Sequence, residues 1–394
     1  MIMETAIKCM EYGILFFFLY GIIMSLFSLY IKKEKNKGVY KQTNSFSVLI
    51  PCHNEDQVIF DNLQSISDSS YDKSLLNIYV ICDNCTDQTI EVVNTFKYSH
   101  MNMKIHCIEV NGGSKPKALK ECTKILKNNN LWVDDNIVVL DADNRISPSL
   151  FDTFNREIQN GSKIVQVSIQ PLNNKSFVAK GFTSAFNNMN RSYQYARNVL
   201  NLSGLLCGTG YSVNREVWDK VGFDDCNTLT EDFEASIMSI LKGYKIKFIY
   251  NDYVLNQHLD NFHKSDVQRT RWARGAMQVC VKMFPKTLWS FIKKPSLQKF
   301  DIMVFMTTGI RYVVYMVCIA FEIIYGKGVN VPFKLALMPT VIYAIMVMLC
   351  NKWKPKYILP HIWYYVSMMF VTSYGCITFW ENNWTKTIHV KQPK

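Results

Sequence analysis

Two carboxylates one residue apart, Asp141 and Asp143, close the apolar run Val138-Val139-Leu140. Two hard oxygen ligands at the edge of a sheet suit Mg2+ or Mn2+, which completes its shell with phosphate oxygens. The plainer reading of Asp141-Ala142-Asp143-Asn144, ahead of Ser147-Pro148, is a turn or a helix N-cap. More polar groups recur after other apolar runs: Asn54 and Glu55 after Phe46–Pro51, Asp83 after Asn77–Cys82, and Lys115 and Lys117 after Lys104–Val110. Gly208-Thr209-Gly210 lets backbone approach a ligand closely, or simply turns the chain. Thr230-Glu231-Asp232 reads as an N-cap followed by two acids in a first helical turn. Gln268-Arg269-Thr270-Arg271-Trp272-Ala273-Arg274 sets three guanidiniums and an indole within seven residues. That composition suits clamping a diphosphate under an aromatic lid, or equally a solvated basic helix face or a membrane-edge anchor.

The runs that carry these groups alternate with helical patterns. Strand Phe46–Pro51 leads to a helix (Val58, Phe60, Leu63, Ile66). Strand Asn77–Cys82 leads to helix Thr89–Phe96, and strand Lys104–Val110 to a helix after Lys117. The Val138 strand closes the series. This βαβαβαβ order predicts a doubly wound, mostly parallel sheet. Ligands bind such sheets beyond the carboxyl ends of the strands, where Asn54, Glu55, Asp83, Lys115, Lys117, Asp141 and Asp143 all fall. No G-x-G-x-x-G follows the first strand, which argues against a dinucleotide. Cys82-Asp83-Asn84-Cys85 has C-x-x-C spacing without a second pair, so these thiols read as core fillers rather than zinc ligands.

The 394 residues are 48% hydrophobic, with 24 Phe, 21 Tyr and 18 Met, and carry a net charge of +12. Tyr12 to Ile31 has transmembrane length, without a cleavage site for a signal peptide. The lysines behind it place the following segment in the cytoplasm. Residues 284–300 alternate aromatic and lysine residues, the pattern of an amphipathic segment lying on a membrane surface. Apolar spans follow at Ile302–Tyr325, Phe333–Cys350 and Tyr357–Phe379, and Arg311 in the first of them should face a polar lumen or a partner. The expected organisation is a membrane helix and basic linker (1–44), a cytoplasmic domain (45–283), the interface segment (284–300) and about three spans with a tail (301–394). The chain is thus expected in the cell membrane, multi-pass. Its lysines cluster beside the spans, where anionic lipid accounts for them, so nucleic acid is not expected as a partner.

The ordered set Pro51-Cys52-His53-Asn54-Glu55, Asp83 with Asp87, Asp141-Ala142-Asp143, Gly208-Thr209-Gly210, Thr230-Glu231-Asp232 and Gln268-Arg269-Thr270-Arg271-Trp272 resembles the membrane-bound family 2 glycosyltransferases. These include the hyaluronan, cellulose, chitin and poly-N-acetylglucosamine synthases. The resemblance runs from about Phe46 to Gly275. It implies a GT-A fold, a UDP-sugar donor and Mg2+ or Mn2+. It gives Asp83 to the uridine, Asp141 and Asp143 to nucleotide and metal, and Asp232, with Glu231 beside it, to catalysis as general base. Asn54, Glu55, Lys115 and Lys117 join the nucleotide-sugar site. Gln268, Arg269, Arg271 and Trp272 would embrace the diphosphate, and Trp272 with Gly208, Thr209 and Gly210 the acceptor. Inverting transfer needs a carboxylate to take the acceptor's proton and positive charge on the departing diphosphate. The implied activity is processive extension of a polysaccharide and its passage across the membrane. The alternative is addition of one sugar to a lipid-linked or glycolipid acceptor. A homo-oligomer or an accessory subunit is compatible with either. A degenerate, non-catalytic transferase is disfavoured, because every expected carboxylate is present.

Overall fold

In the computed structural model, which describes residues 2–29, 40–325, 345–346, 348–349, 352 and 354–381, the apolar runs of the first half form a sheet. Its strands are β1 (Phe46–Cys52), β2 (Leu76–Asp83), β3 (Lys104–Val110), β4 (Asn136–Val139), β5 (Arg145–Ile146), β6 (Ile164–Pro171), β7 (Tyr211–Asn214) and β8 (Ile246–Asn256). They lie in the order β3-β2-β1-β4-β7-β6-β8-β5. The first four pair in parallel, as the alternation with helices predicts. β7 then enters antiparallel to both β4 and β6, β6 and β8 are parallel, and β5 is antiparallel to β8. The sheet is therefore mixed rather than mostly parallel. The sequence hides this because β7 is four residues long and β8 is interrupted by charge at Lys247 and Asp252. Between β1 and β4 each strand leads to the next through a helix, the crossover that parallel pairing needs.

The chain divides into two units by contact, and the boundaries differ from those expected. One unit holds the sheet, residues 40–173 and 203–258 of those described. Its core runs beneath helix Lys115–Asn128, where Leu49, Tyr79, Ile81, Leu119, Cys122, Val139, Trp218 and Ala235 are buried together. Residues 174–202 and 259–283, expected within the same domain, belong to the other unit. Their apolar faces explain this: Val178, Phe182 and Ala185 cluster with Leu259 and Tyr364 rather than with the sheet.

The second unit is helical. Helix Phe262–Lys293 is capped by Asn261, whose side chain accepts from Lys264 N at 3.1 Å, and runs 32 residues through Pro285. The expected interface segment 284–300 is thus its last turns plus the start of helix Leu297–Met306, which Ser296 caps. Trp289 and Ile292 are exposed there, with Lys293 over the Trp289 ring. Helix Ile358–Ile377 packs closely on helix Phe262–Lys293 at Gly375, where a Cβ would stand 2.6 Å from the Ala273 Cβ. Asp301 receives Arg197 in two bonds of 2.7 and 2.8 Å and the Tyr20 hydroxyl at 2.7 Å, tying the N-terminal helix Ile2–Leu26 to this unit.

By length and hydropathy, Lys8–Leu29 could cross a membrane, in line with the first predicted span. The next, Ile302–Tyr325, is broken: Leu297–Met306 and Thr308–Cys318 pass the same test only as a pair bent by 50°. Arg311 finds its partners at that break, donating to Val304 O at 3.1 Å and to Thr308 Oγ1 at 2.5 Å. Most of the expected span Phe333–Cys350 lies outside the described residues. Among the described residues one helix is long and apolar enough to cross a membrane, or two if the bent pair counts as one span, where the sequence predicts four.

Candidate active site

The parallel half of the sheet brings its loops together at the carboxyl ends of β1, β2 and β4. Asn54 adopts a left-handed φ of 57°, which turns its side chain into the next loop. Its Oδ1 accepts from Thr86 N at 2.6 Å and Asp87 N at 3.3 Å, and Glu55 N donates to Thr89 Oγ1 at 2.7 Å. Both residues thus brace the β2 loop. Asp83 is buried at the end of β2. Its Oδ1 accepts from Gly112 N (2.8 Å), Gly113 N (3.0 Å) and Asn84 Nδ2 (2.9 Å), while Oδ2 takes no donor among the described residues. Gly112 is required for this approach, since a Cβ there would stand 2.5 Å from Ala118 N. The two thiols expected as core fillers differ: Cys82 is buried with its Sγ 3.2 Å from that of Cys107, and Cys85 is half-buried.

Beyond β4, Asp141 to Asn144 form a turn closed by Asn144 N to Asp141 O at 3.1 Å, as the plainer sequence reading held. Lys115 at the start of helix Lys115–Asn128 donates to Asp141 Oδ1 at 2.5 Å and to Gly208 O at 2.7 Å. Burial pulls the Lys115 pKa down, but the carboxylates of Asp141, Glu231 and Asp232 outweigh it and the net shift is upward. Lys117 lies two residues on, hence on another side of the helix, and is exposed. The structure does not bring it to the site.

Glu231 and Asp232 occupy the first turn of helix Glu231–Leu241, where the helix dipole favours anions. Thr230 sits at the N-cap position but its hydroxyl makes no cap bond. Instead the buried Glu234 accepts from Asn227 N and Thr228 N, each at 3.2 Å. The glycine loop approaches Asp232: a Cβ on Gly208, whose φ is +80°, would lie 3.8 Å from Asp232 Oδ2. Thr209 is 1% exposed, accepts from Asp141 N at 3.0 Å and donates to Asn144 Oδ1. Gly210 N donates to Val139 O at 2.9 Å. Past Gly208, therefore, this loop locks the Asp141 turn instead of presenting an acceptor surface.

Sequence reasoning missed the residues that hold this turn from behind. Asn62 donates to Asp141 O at 2.9 Å, and Gln166 donates to Thr209 O at 2.9 Å and accepts from Cys207 N at 3.0 Å. Gln166 is a fully buried polar residue within an apolar strand, which was a signal. Tyr211, opposite Val139 in the β4–β7 ladder, was missed too. Burial, and then the charges of Glu231, Asp232 and Asp141, push its phenol pKa well up.

Asp143 is buried, accepting from Gln257 N at 3.2 Å and Asn144 Nδ2 at 3.4 Å. No group of three or more His, Cys, Asp or Glu forms a cation cage among the described residues. With the Lys115 ammonium already on Asp141, the donor set fits Mg2+ or Mn2+ only in a shared form. Two carboxylates would then contribute, and substrate phosphates and water would complete the shell.

The arginine-rich motif lies on helix Phe262–Lys293 in the helical unit. Arg269 is fully buried there, donating to Tyr364 O (3.2 Å), Ser367 Oγ (2.6 Å) and Asp266 Oδ1 (2.5 Å). Its guanidinium also lies 5.0 Å from the Trp363 and Tyr364 rings. A guanidinium spent on a neighbouring helix departs from the diphosphate contact expected of it. Trp272 is packed edge-on to Phe182 and Phe186.

A lysine paired with Asp141 and in the field of two acids at a helix start can balance phosphate charge, and a carboxylate there can accept a proton. The family model described as "Glycosyltransferase like family 2" matches residues 43–275. A poly-beta-1,6-N-acetyl-D-glucosamine synthase of Staphylococcus epidermidis is 26% identical over 316 residues, 77% of this chain and 72% of its own length. A beta-monoglucosyldiacylglycerol synthase of Nostoc sp. is 24% identical over 272 residues, covering 66% of this chain and 55% of its own. Among solved structures, the mannosyltransferase PcManGT of Pyrobaculum calidifontis, in complex with GDP-Man and Mn2+, aligns with a TM-score of 0.64. It is 15% identical, over 96% of this chain and 98% of that one, which shows a shared, GT-A-like fold.

Proposed function

Because the chain belongs to glycosyltransferase family 2 and is a glycosyltransferase, we propose that it transfers a sugar with inversion from a UDP-sugar to the non-reducing end of a growing polysaccharide. The observation that carries this reading is the half-buried Lys115 ammonium, which bonds Asp141 and stands in the field of Glu231 and Asp232, whose charges help raise its pKa. Asp232 is the general base: it takes the acceptor hydroxyl's proton as that oxygen attacks the anomeric carbon and the bond to the diphosphate breaks. Glu231 beside it keeps the local field negative on the acceptor side. Lys115 supplies positive charge near the diphosphate. Asp83 has one oxygen left to accept the uracil N3–H, and Asn54 and Glu55 hold the loop it sits on.

A divalent cation, held by Asp143 and Asp141 together with substrate phosphates, would stabilise the charge on the departing diphosphate. The Mn2+ in the mannosyltransferase of like fold supports this assignment. Gln268, Arg271 and Trp272 keep the diphosphate and acceptor roles that the family motif implies, and Arg269 becomes a structural residue. The Lys8–Leu29 helix and the exposed Trp289 and Ile292 beside lysines support a membrane location with the sheet unit in the cytoplasm.

A second reading, one sugar added to a glycolipid, is favoured by the bent helix pair, which offers less spanning structure for a polymer path. The similarity to the diacylglycerol glucosyltransferase points the same way. The test is incubation of the detergent-purified full chain with single UDP-sugars, followed by UDP release and product sizing. The polymer reading expects UDP release with a ladder of products. A single addition supports the second reading, and no UDP from any donor refutes both.

A further inference from the structure

At the upper end of the sheet unit's core, beside the acidic pair, the side chains leave a recess. Pro116, Leu119, Tyr211, Trp218 and Ala235 wall it, and Glu231 and Asp232 stand at its rim. Its walls are apolar, and it has room for roughly one methyl-sized group. Helical spacing explains the rim: Ala235 lies three residues past Asp232 and four past Glu231, so its small side chain sits on the same face of helix Glu231–Leu241. The back wall is rigid. Trp218 donates its indole N–H to Asp224 Oδ1 at 3.1 Å and stacks on Phe223 with ring centroids 4.7 Å apart.

The recess has one polar group besides the two acids. Tyr211 is 3% exposed, and its hydroxyl makes no hydrogen bond among the described residues. The hydroxyl oxygen itself is not fully enclosed, so a ligand can reach it, and a donor there gains free energy when something accepts from it. The phenol stays protonated, because burial and the facing carboxylates of Glu231, Asp232 and Asp141 oppose its ionisation. It is therefore a donor waiting for an acceptor, next to a pocket for one methyl.

We propose that this recess selects a 2-acylamino sugar on the donor nucleotide, seating the acyl methyl against Leu119, Trp218 and Ala235 while the acyl carbonyl accepts from the Tyr211 hydroxyl. The inference rests on the nucleotide-sugar reading above and narrows its substrate class. A donor with a plain 2-hydroxyl leaves the walls unfilled and Tyr211 unpaired. A uronic acid brings a further carboxylate next to Glu231 and Asp232, which repel it. Ala235 sets the depth of the recess: a larger side chain there fills the space the methyl needs.

The test compares kcat/KM for UDP-N-acetylglucosamine with that for UDP-glucose, using UDP release by the full chain in detergent. Where UDP-glucose is not turned over, its inhibition constant replaces kcat/KM. The wild type should favour the acylated donor. Ala235→Leu should reduce that preference on the order of tenfold or more by occupying the recess, and Tyr211→Phe should reduce it on the order of tenfold by removing the one donor. Equal losses for both donors in Ala235→Leu mark the recess as a packing defect and overturn the proposal. Should Ala235→Leu fail to fold, Tyr211→Phe, which deletes a single oxygen, decides alone: an unaltered preference overturns the proposal. No UDP from any donor with the wild type overturns the transfer reading, and this proposal with it. UDP release with an unaltered preference in both variants overturns this proposal only.

Discussion

Lys115 does two jobs at one atom, answering the Asp141 carboxylate and holding the Gly208 carbonyl. Lys115→Met keeps an unbranched side chain one atom shorter and removes the charge, leaving Asp141, Glu231 and Asp232 to repel one another and the diphosphate. UDP release should fall by about a hundredfold, measured as kcat/KM, in the range seen when one fixed electrostatic contact to a developing charge is lost. Its folded pKa is raised, so the stability it contributes is complete below its ordinary value of 10.5 and is lost only as pH rises through the raised one. Activity should therefore show no loss from this group across neutral pH. At this scale the sequence was informative about residue type and uneven about role. Asp141, Lys115, Glu231 and Asp232 fall together because strand ends and helix starts are readable from apolar runs. Lys117 and Thr209 stand in the same motifs, yet one faces away and the other is spent on the turn. Motif membership says nothing about side-chain direction. Gln166 stood out as a polar residue in an apolar strand, but its partner, like that of Asn62, is a backbone carbonyl distant in sequence and was illegible.

The elements that position the site were legible where the chain alternates strand and helix, from β1 to β4. Beyond that, the pattern failed for physical reasons. β7 is short, β5 has two residues, and β8 carries a bulge against β6 between Val167 and Ser168, where Ser168 Oγ donates to Tyr250 O at 2.8 Å. None has enough alternating residues to stand out. The end of β8 leads to Gln257, which meets Asp143, and to His258, whose backbone N donates to Asn173 Oδ1 at 2.7 Å. Burial depresses the His258 pKa to about 3. A depressed pKa contributes stability that is present above the ordinary value near 6.5 and is lost as pH falls toward the folded value. Acid unfolding of the full chain, followed by circular dichroism, should thus begin below about pH 6.5. This residue should contribute at most about 1.4 kcal/mol per pH unit. His258→Gln should flatten that limb. An unchanged acid limb in the variant would show that His258 is not held neutral by the fold.

On the scale of the whole chain, the sequence pointed to a membrane enzyme with a transferase domain between spans. The structure resolves this into a sheet unit and a helical unit whose boundaries cross the expected ones. The crossing is physical: helix Phe177–Asn188 and the arginine-rich helix are amphipathic, and a sequence read in order assigns a face to its neighbour in the chain, not to its neighbour in space. Sugar transfer at the carboxylate cluster is tested most directly by the proton acceptor itself. The decisive measurement is UDP release from the acylated UDP-sugar by the purified full chain, comparing wild type with Asp232→Asn while binding of UDP is followed in parallel. The variant should bind UDP within about threefold of wild type and lose turnover by about a thousandfold or more, within the span general bases contribute. Turnover retained near the wild-type rate, with intact binding, would contradict the assignment of this carboxylate cluster as the transfer site.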